Sequence, residues 1–259
     1  FTANGGDLFA LNKQDGTTAF KIPLASYFPV IYQDYLCSQN HSGIFCFNKN
    51  NGKLRWRYDM PKHTELGDNF SIANDTLYSY QHDGMEKALT LLNMKDGSKR
   101  SSFTNPLDSG FTQSAIAPIV SKDSVLIPAI DMWSGALYSF DINNQTFSAP
   151  IRGRIENQPA VDDSALYAKS WAALICADKT TGDINWEWTP PQALEAILNQ
   201  EIIVTQNLVF VATDKATYAI SKATHTAVWS YPASGHLSLG RGHLFIMQPT
   251  QELIAVAVK

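Results

Sequence analysis

Charge is scarce in this sequence: Asp, Glu, Lys and Arg make up 17% of its 259 residues, against roughly 25% in an ordinary soluble domain. The two signs nearly balance, 20 Lys and Arg against 24 Asp and Glu, and neither is gathered into a block. Capture of nucleic acid or of an anionic bilayer needs a basic patch, so neither is expected as a partner. No uncharged apolar run approaches the ~18 residues that a membrane-spanning helix needs, so no direct membrane insertion is expected. Cysteine is limited to Cys37, Cys46 and Cys176, too few for a disulfide scaffold and without the C-x-x-C spacing of zinc or redox sites. Also missing are a Gly-x-Ser-x-Gly elbow, a Walker loop, a His-Glu-x-x-His helix and an EF-hand loop. The sequence opens on Phe1 with neither Met nor a leader, and the expectation is a mature form or a monomeric domain of a larger protein.

What is present is apolar and aromatic: 44% hydrophobic residues, with 13 Phe, 10 Tyr and 6 Trp. That composition excludes disorder and suits an all-β fold. A repeated frame then sets the architecture. Ala10-Leu-Asn-Lys-Gln-Asp-Gly16 with Phe20 matches Cys46-Phe-Asn-Lys-Asn-Asn-Gly52 with Trp56, and both match Cys176-Ala-Asp-Lys-Thr-Thr-Gly182 with Trp186. Looser copies run Leu91 to Gly97, Ser139 to Gln145, and Ala219 to His225 with Trp229. An Asn or Asp at the strand end can accept hydrogen bonds from the turn backbone, and the glycine supplies a positive φ where the hairpin closes. Gln145 and His225 stand where that glycine is expected, so those two turns should differ from the rest. Ser101 and Ala149 stand where the aromatic is expected.

Two further β-rich runs precede each copy, giving four short strands per period, A to D, with the glycine turn joining C to D. Units of four strands repeating at about 41 residues are the blades of a β-propeller. The expected fold is therefore all-β, a propeller of four-stranded antiparallel blades. Seven are expected, the first lacking strand A and the last lacking strand D, with an eighth open for a longer parent chain. Within the second blade, Cys37 and Cys46 face each other across a hairpin, near disulfide range at ~4.5–5.5 Å between Cβ atoms without its geometry being guaranteed.

The frame A-x-[DN]-x-x-[TDN]-G-x-x-x-W resembles the repeat of quinoprotein, or PQQ-type, β-propellers, and the resemblance covers nearly the whole chain. That group includes quinone-dependent alcohol dehydrogenases and the lipoprotein propeller of the bacterial outer-membrane assembly machine. The motif is a packing device shared by catalytic and non-catalytic members. The dehydrogenases are about twice this length, with an adjacent Cys-Cys pair and a Glu/Asn/Asp set for calcium beside the quinone. This sequence has no vicinal cysteines and no such acidic set, so neither PQQ nor calcium is expected. The resemblance implies the non-catalytic branch and a periplasmic or extracellular location.

Candidate binding residues follow from strand order, because B–C turns and D–A loops emerge on one face of a propeller. The D–A loops are the long ones, and binding commonly sits on long loops held by a rigid scaffold. Pro190 to Asn199 reads as a short helix on that face, with Leu194, Ile197 and Leu198 as its apolar side. Trp133 and Trp171 occupy the B–C turns of the fourth and fifth blades, and Arg152 and Arg154 lie in the adjoining D–A loop. These six, Trp133, Trp171, Arg152, Arg154, Leu194 and Ile197, form a candidate surface for a protein or peptide. The competing reading is that each Trp folds back over its own blade and each Arg is simply solvated. His236 and His243 flank an A–B turn as a candidate metal pair, and a solvated polar role competes there too. No catalytic residue and no metal site is assigned. The alternative function is a small-ligand sensor or enzyme holding a quinone-like molecule in the central funnel.

Overall fold

The C-to-D turns fold through one local device. The residue four after the turn's Asn, Asp or Ser donates its N–H back to that residue's carbonyl: Gly16 to Asn12 at 2.9 Å, Gly52 to Asn48 at 2.8 Å, Gly97 to Asn93 at 2.8 Å, Gly182 to Asp178 at 2.9 Å and His225 to Ser221 at 2.8 Å. The side chain closes the same turn from inside, as Asn48 Oδ1 accepts the Asn50 N–H and Asp178 Oδ1 accepts those of Thr180 and Thr181, all at 2.8 Å. These bonds favour ionised carboxylates, and they hold Asp178 and Asp141 below the usual carboxylate range. Gly16, Gly52, Gly97 and Gly182 have φ between 68° and 79°. Contrary to expectation, His225 does not change the turn. It keeps the common hydrogen bond at φ 59°, and Gln145 likewise takes a positive φ, 55°.

The computed structural model describes residues 2–4, 7–12, 14–23, 29–40, 42–60, 70–83, 86–107, 117–130, 135–152, 155, 158–192, 194–198 and 201–258. All regular structure among them is strand. The first sheet holds β1 (Thr2–Asn4), β2 (Asp7–Leu11) and β3 (Thr18–Pro23); the second β4 (Val30–Tyr32), β5 (Tyr35–Asn40), β6 (Gly43–Asn48) and β7 (Leu54–Asp59). The third holds β8 (Phe70–Ala73), β9 (Thr76–Asp83), β10 (Glu86–Asn93) and β11 (Lys99–Thr104); the fourth β12 (Ile119–Val120), β13 (Ser124–Ile130), β14 (Gly135–Asp141) and β15 (Thr146–Arg152). The fifth holds β16 (Ala160–Val161), β17 (Ala165–Ser170), β18 (Ala173–Asp178) and β19 (Ile184–Trp188); the sixth β20 (Ile203–Val204), β21 (Leu208–Ala212), β22 (Thr217–Ser221) and β23 (Ala227–Tyr231). The seventh holds β24 (His236–Gly240), β25 (His243–Met247) and β26 (Leu253–Ala257). Within each sheet the strands follow chain order, and the described registers are antiparallel. The first and last sheets have three strands among the described residues, one without an A strand and one without a D strand.

The chain divides into two compact units, residues 1–129 with 140–148, and residues 130–139 with 149–259. In both, the core lies between successive sheets. In the first unit Cys37, Ile44, Cys46 and Trp56 of the second sheet pack with Phe70, Leu77 and Leu92 of the third. In the second unit Tyr167, Leu174 and Cys176 pack with Val209, Val211, Tyr218 and Ile220. C strands are therefore covered on both faces, and β6 is buried from Gly43 to Phe47. D strands such as β7 and β19 alternate towards solvent. Cys37 and Cys46 are register partners, their Cα atoms 4.1 Å apart, and are joined by a disulfide. Cys176 is free and buried.

The glycine has a second role that spacing along one chain does not reveal. A Cβ on Gly52 would sit 2.7 Å from the Phe20 ring, and one on Gly97 would sit 2.5 Å from the Trp56 ring. The aromatics of the first and second sheets thus lie against the turn of the next. Trp56 is fixed there by its indole N–H, which donates to the Met94 carbonyl at 2.8 Å. Where His225 replaces the glycine, Trp186 stacks on the imidazole with centroids 4.9 Å apart and planes 13° apart. One pair of departures is matched, Ser101 of the third sheet in place of the aromatic and Gln145 of the fourth in place of the glycine, whereas Ala149 of the fourth precedes a sheet that keeps Gly182.

Candidate functional site

In the second unit, β17 and β18 pair tightly to their turn, with Ser170 opposite Ala173. The first residues of β18 pair with the last of β19, Leu174 opposite Trp188. The B–C turn and the start of the following D–A loop therefore leave this sheet at one end. Trp171 stands in the turn at φ 53° with 68% of its surface exposed.

The loop after β19 is no helix. Two prolines at its start disfavour helical backbone before them, and an isolated segment of this length is a marginal helix in water. Its backbone pairs instead with the B–C end of the sixth sheet. Ile197 forms an antiparallel bridge with Thr213, Leu198 N–H donates to Ala212 O at 2.9 Å, and Asp214 N–H donates to Ala196 O at 2.9 Å. The Asp214 carboxylate adds a bond from Ala196 N–H at 2.9 Å. Beneath these, Glu195 is 5% exposed and its carboxylate accepts the hydroxyls of Thr213 and, at 3.1 Å, Tyr218. Burial first, and the neighbouring Glu195 second, push the Tyr218 hydroxyl above its usual range. The Trp188 ring packs on Tyr218 with centroids 5.2 Å apart.

This clamp separates residues that the helical reading put on one side. Ile197 is 3% exposed and belongs to the core, so it lines no docking surface. Leu194 is 97% exposed at φ 62°. Trp133 and Arg154 lie outside the described residues, and of Arg152 only the backbone, in β15, is described. Most of the other long D–A loops also fall outside them. Glu195, Thr213 and Asp214, which hold the loop, carry no sequence signature. A lone Glu among helix formers and a Thr-Asp after a strand read as solvated or capping residues.

The opposite end of the same sheets carries a polar seam. Asp162 accepts the Lys222 ammonium at 2.8 Å, the Tyr167 hydroxyl at 3.0 Å and the Ser164 and Ala165 N–H groups at 2.9 Å each. Burial alone would raise the Asp162 carboxyl, but these four donors outweigh it and hold it well below the usual carboxylate range. The seam ties the A–B turn of the fifth sheet to the C–D turn of the sixth and is fully used as a structural contact. His236 contacts Glu201 at 3.1 Å and the His243 ring nitrogen lies 3.0 Å from the Arg241 carbonyl, so the two histidines take separate partners. Among the described residues no three His, Cys, Asp or Glu side chains converge as a metal set. The bonded cysteines are nine apart in sequence rather than adjacent.

The family model described as outer membrane protein assembly factor BamB matches residues 4–231 and, in a second register, 133–257. No curated protein sequence matches the chain. Among solved structures, BamB from Moraxella catarrhalis is similar at a TM-score of 0.72 and 16% identity, covering 96% of this chain and 78% of that one. The dihydro-heme d1 dehydrogenase NirN is similar at 0.68 and 9% identity, covering 100% and 63%. A europium-containing methanol dehydrogenase is similar at 0.59 and 11% identity, covering 88% and 54%. At such identities the structural likenesses speak for the fold alone, which is a β-propeller of PQQ-like repeats, while the family match spans most of the sequence. This chain belongs to the outer membrane protein assembly factor BamB family.

Proposed function

We propose that the chain is a non-catalytic propeller that serves as a rigid platform for a protein or peptide partner, received on the B–C/D–A loop face of its second unit. The observation that carries this reading is Leu194. A left-handed conformation costs a non-glycine residue roughly 1–2 kcal/mol, and full exposure returns no burial to the fold, yet the clamp at Ile197, Thr213 and Asp214 holds the side chain there. Strain maintained by surrounding structure at an exposed apolar residue supports a contact role. Trp171 emerges at the same end of the neighbouring sheet and supplies an aromatic anchor. The family match supports a partner belonging to an outer-membrane assembly complex and a periplasmic location. The Cys37–Cys46 bond agrees with an oxidising compartment. No quinone or calcium is part of this proposal.

The test is site-specific photo-crosslinking in envelope extract. A photoreactive residue at Trp171 or Leu194 gives one discrete adduct that unlabelled protein competes away and a Trp171→Ala/Leu194→Ala variant does not. The same probe at Thr180 or Thr224, in C–D turns, gives none. Equal adducts from both ends of the sheets would refute the assignment of the face. A quinone absorption band that survives desalting after incubation with PQQ and Ca²⁺ would instead favour the funnel-ligand reading.

A further inference from the structure

The C–D turns of the first three sheets share one bond pattern. Asn12, Asn48 and Asn93 donate their N–H groups to the carbonyls of Thr17, Lys53 and Ser98 at 2.8, 2.8 and 2.9 Å, and their own carbonyls accept Gly16, Gly52 and Gly97. The residue before each glycine closes the turn from inside. Asp15 Oδ1 accepts the Thr17 N–H at 2.9 Å, Asn51 Oδ1 the Lys53 N–H at 3.0 Å, and Asp96 Oδ1 the Ser98 N–H at 3.0 Å. All three of these residues are exposed. The second turn thus carries an amide where its two neighbours carry a carboxylate.

An asparagine followed by glycine is open to attack by its own main chain, because the next nitrogen has no side chain beside it to hinder the approach. Asn4 and Asn51 are the asparagines of the sequence that precede a glycine. Asn4 lies in β1, opposite Asp7. At Asn51 the Lys53 N–H polarises the side-chain carbonyl and holds the carboxamide against the backbone. The attacking group would be the Gly52 nitrogen, whose N–H donates to Asn48 O at 2.8 Å. That bond must open before the nitrogen can react.

We propose that Asn51 is a site of spontaneous deamidation, gated by the Gly52–Asn48 hydrogen bond, whose aspartate product keeps the turn and adds a negative charge at the C–D end of the second sheet. The Gly52 nitrogen bonds to Asn51 Cγ, and the side-chain amide leaves as ammonia, taking the proton that nitrogen gives up. Water then adds at Cγ and breaks the new C–N bond, returning a proton to the Gly52 nitrogen. The net change is amide and water to carboxylic acid and ammonia. Asp15 and Asp96 show that a carboxylate fits this position. Both are held below the usual carboxylate range, Asp15 chiefly by the Thr17 N–H and Asp96 chiefly by the Ser98 hydroxyl. Water adding at the other carbonyl of the ring gives isoaspartate, which runs the main chain through the side-chain carbons and lengthens the turn. A Cβ on Gly52 would already stand 2.7 Å from the Phe20 ring, so that second form disturbs the packing of the first sheet on the second. This site is separate from the loop face and does not depend on it.

The test is incubation of the whole chain in mildly alkaline buffer, followed by digestion and mass mapping, beside a synthetic peptide with the sequence of residues 46–56. Conversion is expected at Asn51, at least about twofold slower than in the peptide, the protection that one backbone hydrogen bond gives. The Asn51→Asp variant should match the parent in circular dichroism and thermal midpoint. An Asn51 that stays intact while the peptide converts fully, or conversion confined to Asn4, overturns the site. Conversion as fast as in the peptide overturns the gate. An Asn51→Asp variant that melts below the parent overturns the claim that the turn accepts the product.

Discussion

Replacing Gly97 by alanine tests the packing rule that joins one sheet to the next. The new Cβ would stand 2.5 Å and 2.7 Å from atoms of the Trp56 ring, and that ring is buried and fixed by its bond to the Met94 carbonyl. The φ of 72° adds the left-handed penalty. Overpacking costs roughly 1–3 kcal/mol and the backbone roughly 1–2 kcal/mol, so the substitution should cost about 2–5 kcal/mol. Gly16→Ala is the control, because φ is 73° but nothing lies within 4 Å of its Cβ. It should lose only the backbone part, about 1–2 kcal/mol. In thermal unfolding, where about 1 kcal/mol moves a chain of this size by ~2–4 °C, Gly97→Ala should melt lowest, Gly16→Ala between it and the parent. In a Trp56→Leu background the excess cost of Gly97→Ala should vanish, a coupling of roughly 1–3 kcal/mol. If Gly97→Ala costs no more than Gly16→Ala, or the excess survives loss of the indole, the glycine is there for its turn alone and the rule fails.

Two other outcomes follow from the same contacts. Breaking the Cys37–Cys46 bond with a Cys37→Ser/Cys46→Ser variant should lower the denaturation midpoint by the equivalent of roughly 2–3 kcal/mol for so short a loop, and a reductant should act slowly on the native chain because both cysteines are buried. Asp162 has a depressed folded-state value, so its stabilisation is fully present above the ordinary carboxylate range near pH 4 and is lost as pH falls towards the folded value. Asp162→Asn should therefore destabilise the chain at pH 7 and make less difference at pH 2, as read from urea midpoints. An equal deficit at both pH values would mean that the seam does not depend on the carboxylate charge.

The repeat was legible because each turn is closed by neighbours in sequence. Asn48, Asp178 and Gly182 act on atoms within a few residues of themselves, so spacing alone reports them. The facing of Cys37 and Cys46 was legible for the same reason, the hairpin register being local. What spacing could not show is decided by a neighbouring sheet. His225 keeps a glycine-like turn because Trp186 stacks on it, and Gly97 is constrained by a tryptophan 41 residues away in the chain order of Trp56 and Gly97. The segment 190–198 has helix formers, but Thr213 and Asp214 take its backbone bonds, and tertiary pairing overrides a weak local preference. That override is also what separates exposed Leu194 from buried Ile197.

The claim that the loop face is built into the scaffold before any partner arrives is tested by amide hydrogen exchange on the isolated chain. The amides of Ala196, Leu198 and Asp214 should exchange as slowly as those of β21 and β22, since the first two donate to the sixth sheet or its turn and Asp214 donates back to the loop at Ala196. Exchange at the rate of a free peptide at these three positions would contradict the account, because Leu194 would then be carried on a loose tether and not on a platform.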